Sequence, residues 1–285
     1  AWMQYRLGSC YFTGKGVEKD KEEAVRWYRK AAEQGDLLAQ YDLGSCYSNG
    51  YGIKENKEEA VCWYREAAEQ GMAAAQSVLG FYYENGIGVK EDKEEAVCWY
   101  RKAAKQGNAS AQNSLGICYE NGIGIEEDKE EAVRWYRKAA EQGNAFAQNN
   151  LGFCYYKGIG IKENKEEAVR WFKKGAERLN SDAQNNLGFC YENGIGIKEN
   201  KEEAVCWYRK AAKQGNASAQ YHLGYCYYNG IGVDRNQKEA TYWFKKSAEQ
   251  GSATAQDMVG NCYYKGTGVK KDKKEAVIWY RKAAE

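Results

Sequence analysis

Apolar and polar residues follow a helical spacing along the whole chain, and the spacing starts afresh at a fixed interval. In "DLLAQYDLGSCYSNGYGIKENKEEAVCWYREAAEQG" (Asp36–Gly71) it predicts a first helix from about Leu37 to Asn49 and a second one that ends at Gly71. Successive helical residues turn by about 100°, which places one set of side chains on a common side. The side chains predicted to be buried are Ala39, Gln40, Leu43, Gly44 and Tyr47 in the first helix and Ala60, Trp63, Tyr64, Ala67 and Ala68 in the second.

Start and stop signals agree with these bounds. Asp36 and Asn56 stand before the two helices, where a side-chain oxygen can accept a hydrogen bond from a free backbone N–H. Glu59 follows Asn56 by three residues, which predicts a capping box. Gly50 ends the first helix, because glycine adopts the left-handed conformation at low cost. The stretch is therefore predicted to form a helical hairpin.

The hairpin recurs every 36 residues without an insertion or deletion. Tryptophan marks one position of each copy, at Trp27, Trp63, Trp99, Trp135, Trp171, Trp207, Trp243 and Trp279. Such self-similarity is typical of solenoids, in which each unit buries its apolar face against its neighbours. We predict an all-α solenoid, a single array over residues 1–285, of eight helix-turn-helix repeats. The expected units are approximately 1–35, 36–71, 72–107, 108–143, 144–179, 180–215, 216–251 and 252–285.

The fifth copy departs from this pattern near its end. Gly175 stands where most other copies have alanine, and Leu179 stands where the others have glycine. We expect the junction that follows to be locally bent or looser than the others.

The repeated residues carry a family resemblance. The pattern "A-Q-x-x-L-G-x-x-Y-x-x-G-x-G-V/I-x-x-D/N-x-x-x-A-x-x-W-Y-x-K-A-A-x-Q-G" closely resembles the Sel1-like repeat, a relative of the tetratricopeptide repeat, over essentially the whole chain. The resemblance implies a right-handed α-solenoid that serves as a non-catalytic scaffold or adaptor for other proteins, often in membrane-protein quality control or signalling. Two alternatives stay open: a designed or purely structural solenoid without a specific ligand, and a quality-control adaptor of the ER lumen or secretory pathway.

Charge and hydropathy argue against several kinds of partner. The 42 Lys and Arg residues nearly balance the 40 Asp and Glu residues, giving a net charge of +2, so no broad basic surface for nucleic acid or an anionic membrane is expected. No apolar stretch is long enough to insert directly into a membrane, and no signal-peptide pattern is present. We expect a cytoplasmic protein; because the sequence opens at Ala1, a processed leader or a larger parent protein stays open.

Two features that could suggest catalysis are interpreted as structural. The motif Gly158-Ile159-Gly160 looks like a phosphate loop, but it follows a predicted helix rather than a strand and has a counterpart in every copy, which indicates a turn. His222 is the single histidine, and unrelated residues hold its position in the other copies. We therefore predict no enzyme activity, no cofactor and no metal site.

The ten cysteines fall into two sets. One set occupies a single position beside the buried side of the first helix, where a small apolar thiol fits: Cys10, Cys46, Cys118, Cys154, Cys190, Cys226 and Cys262. The other three, Cys62, Cys98 and Cys206, are predicted to be exposed on the second helix. We expect reduced thiols, with disulfides as the alternative. Asn108 and Asn216 begin Asn-Ala-Ser sequons, but N-capping explains these asparagines equally well.

Opposite the packing side of the first helix, the residues vary most between copies. In the second copy these are Leu38, Tyr41, Ser45 and Ser48. First helices tend to line the concave surface of a solenoid, which is the usual docking face. The middle copies present asparagines there, whose amides can both donate to and accept from a peptide backbone, beside aromatic rings that add contact area. Some tetratricopeptide domains are similar in having such asparagine ladders.

We therefore predict that a protein or an extended peptide binds to this face. The predicted contact residues are Asn113, Asn149, Asn150, Asn185, Asn186, Phe153, Phe189 and Tyr225. Neither end of the sequence carries a polar capping repeat, so we also expect some head-to-tail self-association through uncapped ends such as the one near Trp2 and Tyr5.

Overall fold

The computed structural model describes the whole chain, Ala1–Glu285, and contains sixteen α-helices and no β-strand. The helices are α1 (Trp2–Thr13), α2 (Lys21–Ala32), α3 (Leu37–Asn49), α4 (Lys57–Glu69), α5 (Ala73–Asn85), α6 (Lys93–Lys105), α7 (Ala109–Asn121), α8 (Lys129–Glu141), α9 (Ala145–Lys157), α10 (Lys165–Glu177), α11 (Ser181–Asn193), α12 (Lys201–Lys213), α13 (Ala217–Asn229), α14 (Gln237–Glu249), α15 (Ala253–Lys265) and α16 (Lys273–Ala284). The prediction of eight tandem helical hairpins in an all-α solenoid is confirmed.

The chain divides into two compact units, unit 1 (Ala1–Ala139) and unit 2 (Ala140–Glu285). In unit 1 the consecutive helices α1 through α7 pack against one another in pairs, α1 on α2 and so on up to α6 on α7. In unit 2 the consecutive helices α9 through α16 do the same. The core is segmental, because one hairpin and the following first helix share each apolar cluster. In one such cluster Tyr28 and Ala31 of α2 pack with Ala39 and Leu43 of α3.

The first helices begin and end as their sequence predicts. The Asp36 side chain accepts a hydrogen bond from the backbone N–H of Ala39 at 3.0 Å. Gly50 follows α3 with φ 67°, in the left-handed region, and its N–H donates to the carbonyl oxygen of Cys46. These two caps fix the length of the helix at both ends.

The second helices are capped differently from the predicted capping box. The Asn56 side chain accepts a hydrogen bond from the N–H of Glu59 at 3.0 Å, as expected. The N–H of Asn56, however, donates to the carbonyl oxygen of Tyr47 at 2.9 Å, which leaves Glu59 no donor to accept from there. The reciprocal half of the capping box is therefore wrong, and the loop is instead tied back to the first helix of its own hairpin.

Helical glycines accommodate aromatic rings within each hairpin. A Cβ atom at Gly44 would lie 2.9 Å from the ring of Tyr64, and one at Gly188 would lie 2.8 Å from the ring of Tyr208. The position therefore needs glycine because a tyrosine ring of the second helix lies against the first-helix backbone. The backbone of the second helix is also close, since a Cβ atom at Gly188 would lie 3.2 Å from the carbonyl oxygen of Ala204.

The second glycine of six connecting loops provides contact between hairpins. A Cβ atom at Gly52 would lie 2.0 Å from the carbonyl oxygen of Lys21, at the start of the preceding second helix, and one at Gly196 would lie 2.2 Å from that of Lys165. No side chain fits at this distance. The paired glycines are thus a packing feature of the repeat rather than a phosphate loop.

The junction after the fifth copy is not looser than the others. Helix α10 runs regularly from Lys165 to Glu177. Leu179 takes the left-handed conformation with φ 63°, as the glycines do at equivalent positions. A Cβ atom at Gly175 would lie 2.9 Å from the Cβ atom of Ala183, so α10 and α11 approach closely there. The expectation of a bent or loose junction is wrong, because the absent Cβ atom allows tighter contact.

Candidate binding surface

The variable face of the first helices is only partly open. In the second copy Leu38 is exposed and Tyr41 and Ser45 are half-buried, but Ser48 is buried, because its hydroxyl hydrogen-bonds with that of Tyr82 in the next hairpin. The prediction of an open position at Ser48 is wrong. The candidate surface is consequently narrower than the sequence pattern indicates.

Seven of the predicted contact residues lie on three first helices of unit 2. We call six of them the unit 2 face: Asn149 and Phe153 on α9, Asn185, Asn186 and Phe189 on α11, and Tyr225 on α13. Asn150 lies beside them on α9 and is half-buried. Asn113 is also half-buried, but it lies on α7 and belongs to unit 1.

The amides of the unit 2 face contact one another across neighbouring hairpins. The side-chain Nδ2 of Asn186 donates a hydrogen bond to Oδ1 of Asn149 at 2.9 Å. The Oδ1 atom of Asn185 is buried and accepts no hydrogen bond. The side-chain carbonyl of Asn149 is therefore already hydrogen-bonded within the protein, whereas that of Asn185 has no donor.

The aromatic rings of the unit 2 face remain accessible. Phe153 is 39% exposed and Tyr225 is 40% exposed, whereas Phe189 is half-buried. Neighbouring rings hold them in place: Phe153 stacks on Tyr156 at 6.4 Å between centroids, and Tyr225 stacks on Tyr221 at 6.3 Å. Exposed rings supported in this way present apolar area with little loss of side-chain freedom on binding.

A small apolar cavity opens between two of these rings. It has a volume of about 30 Å³ and is lined by Phe153, Tyr156, Phe172, Asn186, Phe189 and Cys190. This volume is about that of one small apolar group. Sequence reasoning missed Tyr156 and Phe172. Helical spacing could have identified Tyr156, because it follows Phe153 by three residues and so lies on the same side of α9.

His222 adjoins the same region as a half-buried ring, 6.3 Å from the Phe189 ring between centroids. Its imidazole stacks on Tyr208 at 4.9 Å between centroids, and the Tyr208 hydroxyl donates to Glu192 at 2.6 Å. Burial lowers the pKa of His222, with the Glu192 charge acting weakly in the opposite direction. The geometry gives His222 a packing role beside a tyrosine.

The two sets of cysteines lie where the sequence predicts. In the first set Cys10 is half-buried and the other six are buried, while Cys62, Cys98 and Cys206 are exposed. Burial raises the pKa of Cys226 to about 12 and that of Cys190 to about 11, so these thiols are poor nucleophiles near neutral pH.

No group of three or more His, Cys, Asp or Glu side chains is arranged to hold a metal ion. None of the helices combines the length and the apolar character that crossing a bilayer requires.

A family model described as Sel1 repeat matches residues 3–36, 37–72, 73–108, 109–144, 145–178, 181–216, 217–252 and 253–285. A comparison with curated proteins finds no match.

Several solved structures are similar to the chain. A protective antigen present in uropathogenic Escherichia coli strains, described as displaying an SLR fold, is 39% identical with a TM-score of 0.75; the match covers 99% of this chain and 68% of that one. A Sel1 repeat protein from Oxalobacter formigenes is 35% identical with a TM-score of 0.77, covering 86% of this chain and 97% of that one. An immunity protein from Pseudomonas aeruginosa shares the fold at 20% identity and a TM-score of 0.50, covering 75% of this chain and 81% of that one.

Proposed function

The chain belongs to the Sel1 repeat family, whose members are generally protein-interaction scaffolds, and we propose that it binds an extended peptide segment of a partner protein on the unit 2 face. Eight hairpins without a catalytic set of residues provide surface rather than chemistry. The observation that carries the proposal is the pair of accessible rings, Phe153 on α9 and Tyr225 on α13, together with the asparagine amides of α9 and α11.

In this proposal the rings supply the binding free energy. Each ring buries apolar area against a partner side chain, and the small cavity between Phe153 and Phe189 accepts one apolar group. The carbonyl oxygen of Asn185 is buried and has no donor in the free protein, and in this proposal the side chain turns outward to accept from a peptide N–H. Amides recognise backbone, so side-chain specificity comes from the cavity.

The test uses a displayed library of random peptides selected on the wild-type protein. The double variant Phe153→Ala with Tyr225→Ala removes both accessible rings and should lose most binding of the selected peptides, on the order of tenfold or more. Phe146→Ala is the matched control, since Phe146 is 64% exposed on α9 but does not line the cavity. If the double variant binds the peptides as tightly as the Phe146→Ala variant, the unit 2 face is not the binding surface.

We further propose that the protein is cytoplasmic with reduced thiols. The two sequon asparagines support this location, because each is engaged as a helix cap: the Asn108 side chain accepts from Ala111 N–H and that of Asn216 from Ala219 N–H, both at 2.9 Å. Alkylation of the natively expressed protein under denaturing, non-reducing conditions should modify all ten cysteines. Fewer modified thiols, or a mass increase removed by a glycosidase, would favour the secretory alternative.

A further inference from the structure

A hydrogen-bonded carboxamide is missing at one position of unit 2 where the repeat pattern otherwise provides one. In four other copies the glutamine that follows the second helix donates its side-chain Nε2 to Oε1 of the buried glutamine on the first helix of the same hairpin. These pairs are Gln70 to Gln40 at 2.8 Å, Gln106 to Gln76 at 2.7 Å, Gln214 to Gln184 at 2.7 Å and Gln250 to Gln220 at 2.8 Å. The fifth copy has Arg178 in place of the donating glutamine.

Arg178 does not replace the missing donor. Gln148, the buried glutamine of that hairpin, is 3% exposed, and its Nε2 donates to the carbonyl oxygen of Ala140 at 3.0 Å. Its Oε1 is buried and has no hydrogen-bond partner. The Arg178 side chain lies against Gly143 instead, since a Cβ atom on that glycine would be 2.7 Å from the guanidinium carbon. The acceptor is therefore left unsatisfied, an arrangement that native proteins rarely keep without a reason.

A solvent-connected cavity adjoins this acceptor. Its volume is about 390 Å³, and its walls include Gly143, Gln148, Trp171, Lys174, Glu177 and Arg178. The Lys174 ammonium lies 3.9 Å from the centre of the Trp171 ring and is engaged there. The cavity wall thus includes Gln148, whose buried Oε1 lacks a donor, and Arg178, whose guanidinium carries only N–H donors.

We propose that this cavity binds the primary carboxamide of a glutamine side chain. The ligand N–H donates to Gln148 Oε1, as the N–H of Gln214 does to Gln184, and the ligand carbonyl oxygen accepts from the Arg178 guanidinium. A glutamate carboxylate of the same size can accept from Arg178 but has no hydrogen to donate to Gln148, so the site discriminates against it. The carboxamide can come from a partner protein or from free glutamine, and the chemistry of recognition is the same.

The test is a titration of isotope-labelled protein monitored by the NMR signals of the Gln148 side-chain NH₂ and the Trp171 indole. The probes are free L-glutamine and an acetylated Gly-Gln-Gly peptide N-methylamide, each compared with its glutamate counterpart. We expect saturable shifts with a glutamine probe and at least about tenfold weaker binding of the glutamate probe, the effect of one lost hydrogen bond. Binding of the peptide alone indicates a protein ligand, and binding of the free amino acid alone indicates a small molecule; both outcomes support the carboxamide site.

Two variants separate this site from chance binding. Arg178→Gln restores the internal carboxamide found in the other copies, so the protein should keep its fold and lose the glutamine-dependent shifts. Gln214→Arg opens the equivalent position at Gln184 and should create such shifts there. Equal shifts in the wild type and the Arg178→Gln variant would overturn the proposal. Equal binding of glutamine and glutamate, or no saturable shift in the wild type, would do the same.

Discussion

Two junctions in unit 2 connect equivalent helices with different residues. Between α12 and α13 the chain passes through Gly215, with φ 93°, to Asn216, whose side chain caps α13. Between α10 and α11 it passes through Leu179, with φ 63°, to Asn180, whose side chain caps α11 by accepting from Ala183 N–H at 2.7 Å. Both junctions therefore share a left-handed residue and an asparagine cap, and glycine is the usual but not the required residue at the left-handed position.

The junction between α10 and α11 also differs from the one between α12 and α13 at two nearby positions. Gly175 replaces the alanine seen at Ala211, and Arg178 replaces Gln214. The glycine brings α10 and α11 into closer contact, while the arginine removes a hydrogen bond. The same hairpin geometry is therefore kept although this junction has a left-handed leucine, a closer contact between helices and one hydrogen bond fewer.

The substitution expected to have the largest effect is Gly175→Ala. The new Cβ atom would lie 2.9 Å from the Cβ of Ala183 and 3.2 Å from the carbonyl oxygen of Ala145, so α10 must shift. We expect the free energy of unfolding to fall by about 1–3 kcal/mol, the usual cost of overpacking. Urea denaturation measures it.

Helix propensity gives the opposing expectation for this variant. Alanine is favoured over glycine by about 1 kcal/mol inside a helix. A stabilisation of that size would show that α10 and α11 do not approach as closely as described. The reverse change at the regular junction, Ala211→Gly, is the control and should destabilise, by about 1 kcal/mol through propensity and further through loss of a methyl group, because Ala211 is fully buried.

The next effect in size is expected for Arg178→Gln. A glutamine here can donate to Gln148 Oε1 as Gln214 does to Gln184, so the protein should become more stable by about 1 kcal/mol. The matched variant Gln214→Arg should lose a similar amount. Thermal unfolding of both variants measures the difference, and shifts of the same sign in the two would contradict the account.

A smaller gain is expected for Leu179→Gly. The left-handed conformation costs an L-residue about 1–2 kcal/mol, whereas the flexibility of glycine in the unfolded chain costs somewhat less. Leu179 is 71% exposed, so little packing is lost. The expected stabilisation is about 0.5–1 kcal/mol, and Gly215→Leu should destabilise by a similar amount. An unchanged midpoint of urea unfolding in both variants would show that the conformation of this residue does not matter.

The repeat made much of the fold predictable from one hairpin. The bounds of α3, the Asp36 cap and the burial of Gln40 follow from local spacing and capping, which depend on residues close in sequence. The hydrogen bond from the Asn186 side chain to that of Asn149 does not follow from the spacing within one helix. It depends on how one hairpin is positioned against the next. The same holds for Ser48, which a neighbouring tyrosine buries.

The candidate site was predicted only in outline for the same reason. Exposed rings such as Phe153 were predicted, since the unused side of a helix can be read from its own sequence. The loss of the donor to Gln148 has a sequence signal, Arg178 in place of glutamine, but its meaning depends on knowing that these two positions touch in the other copies.

The smallest expected effect concerns His222, which holds on α13 the place that Asn186 holds on α11. Burial against Tyr208 lowers the pKa of His222 below its usual value of about 6.5, although Glu192 on the neighbouring helix opposes the shift. The unfolded chain therefore takes up this proton before the folded protein does, and the associated stability is present above pH 6.5 and lost as the pH falls through that value. Asparagine does not titrate, so the His222→Asn variant should lose less stability than the wild type between pH 7.5 and pH 5, measured by urea unfolding at each pH. Carboxylates other than Glu192 titrate equally in both proteins and cancel in this difference, so identical pH dependence would mean that burial does not lower the pKa of His222.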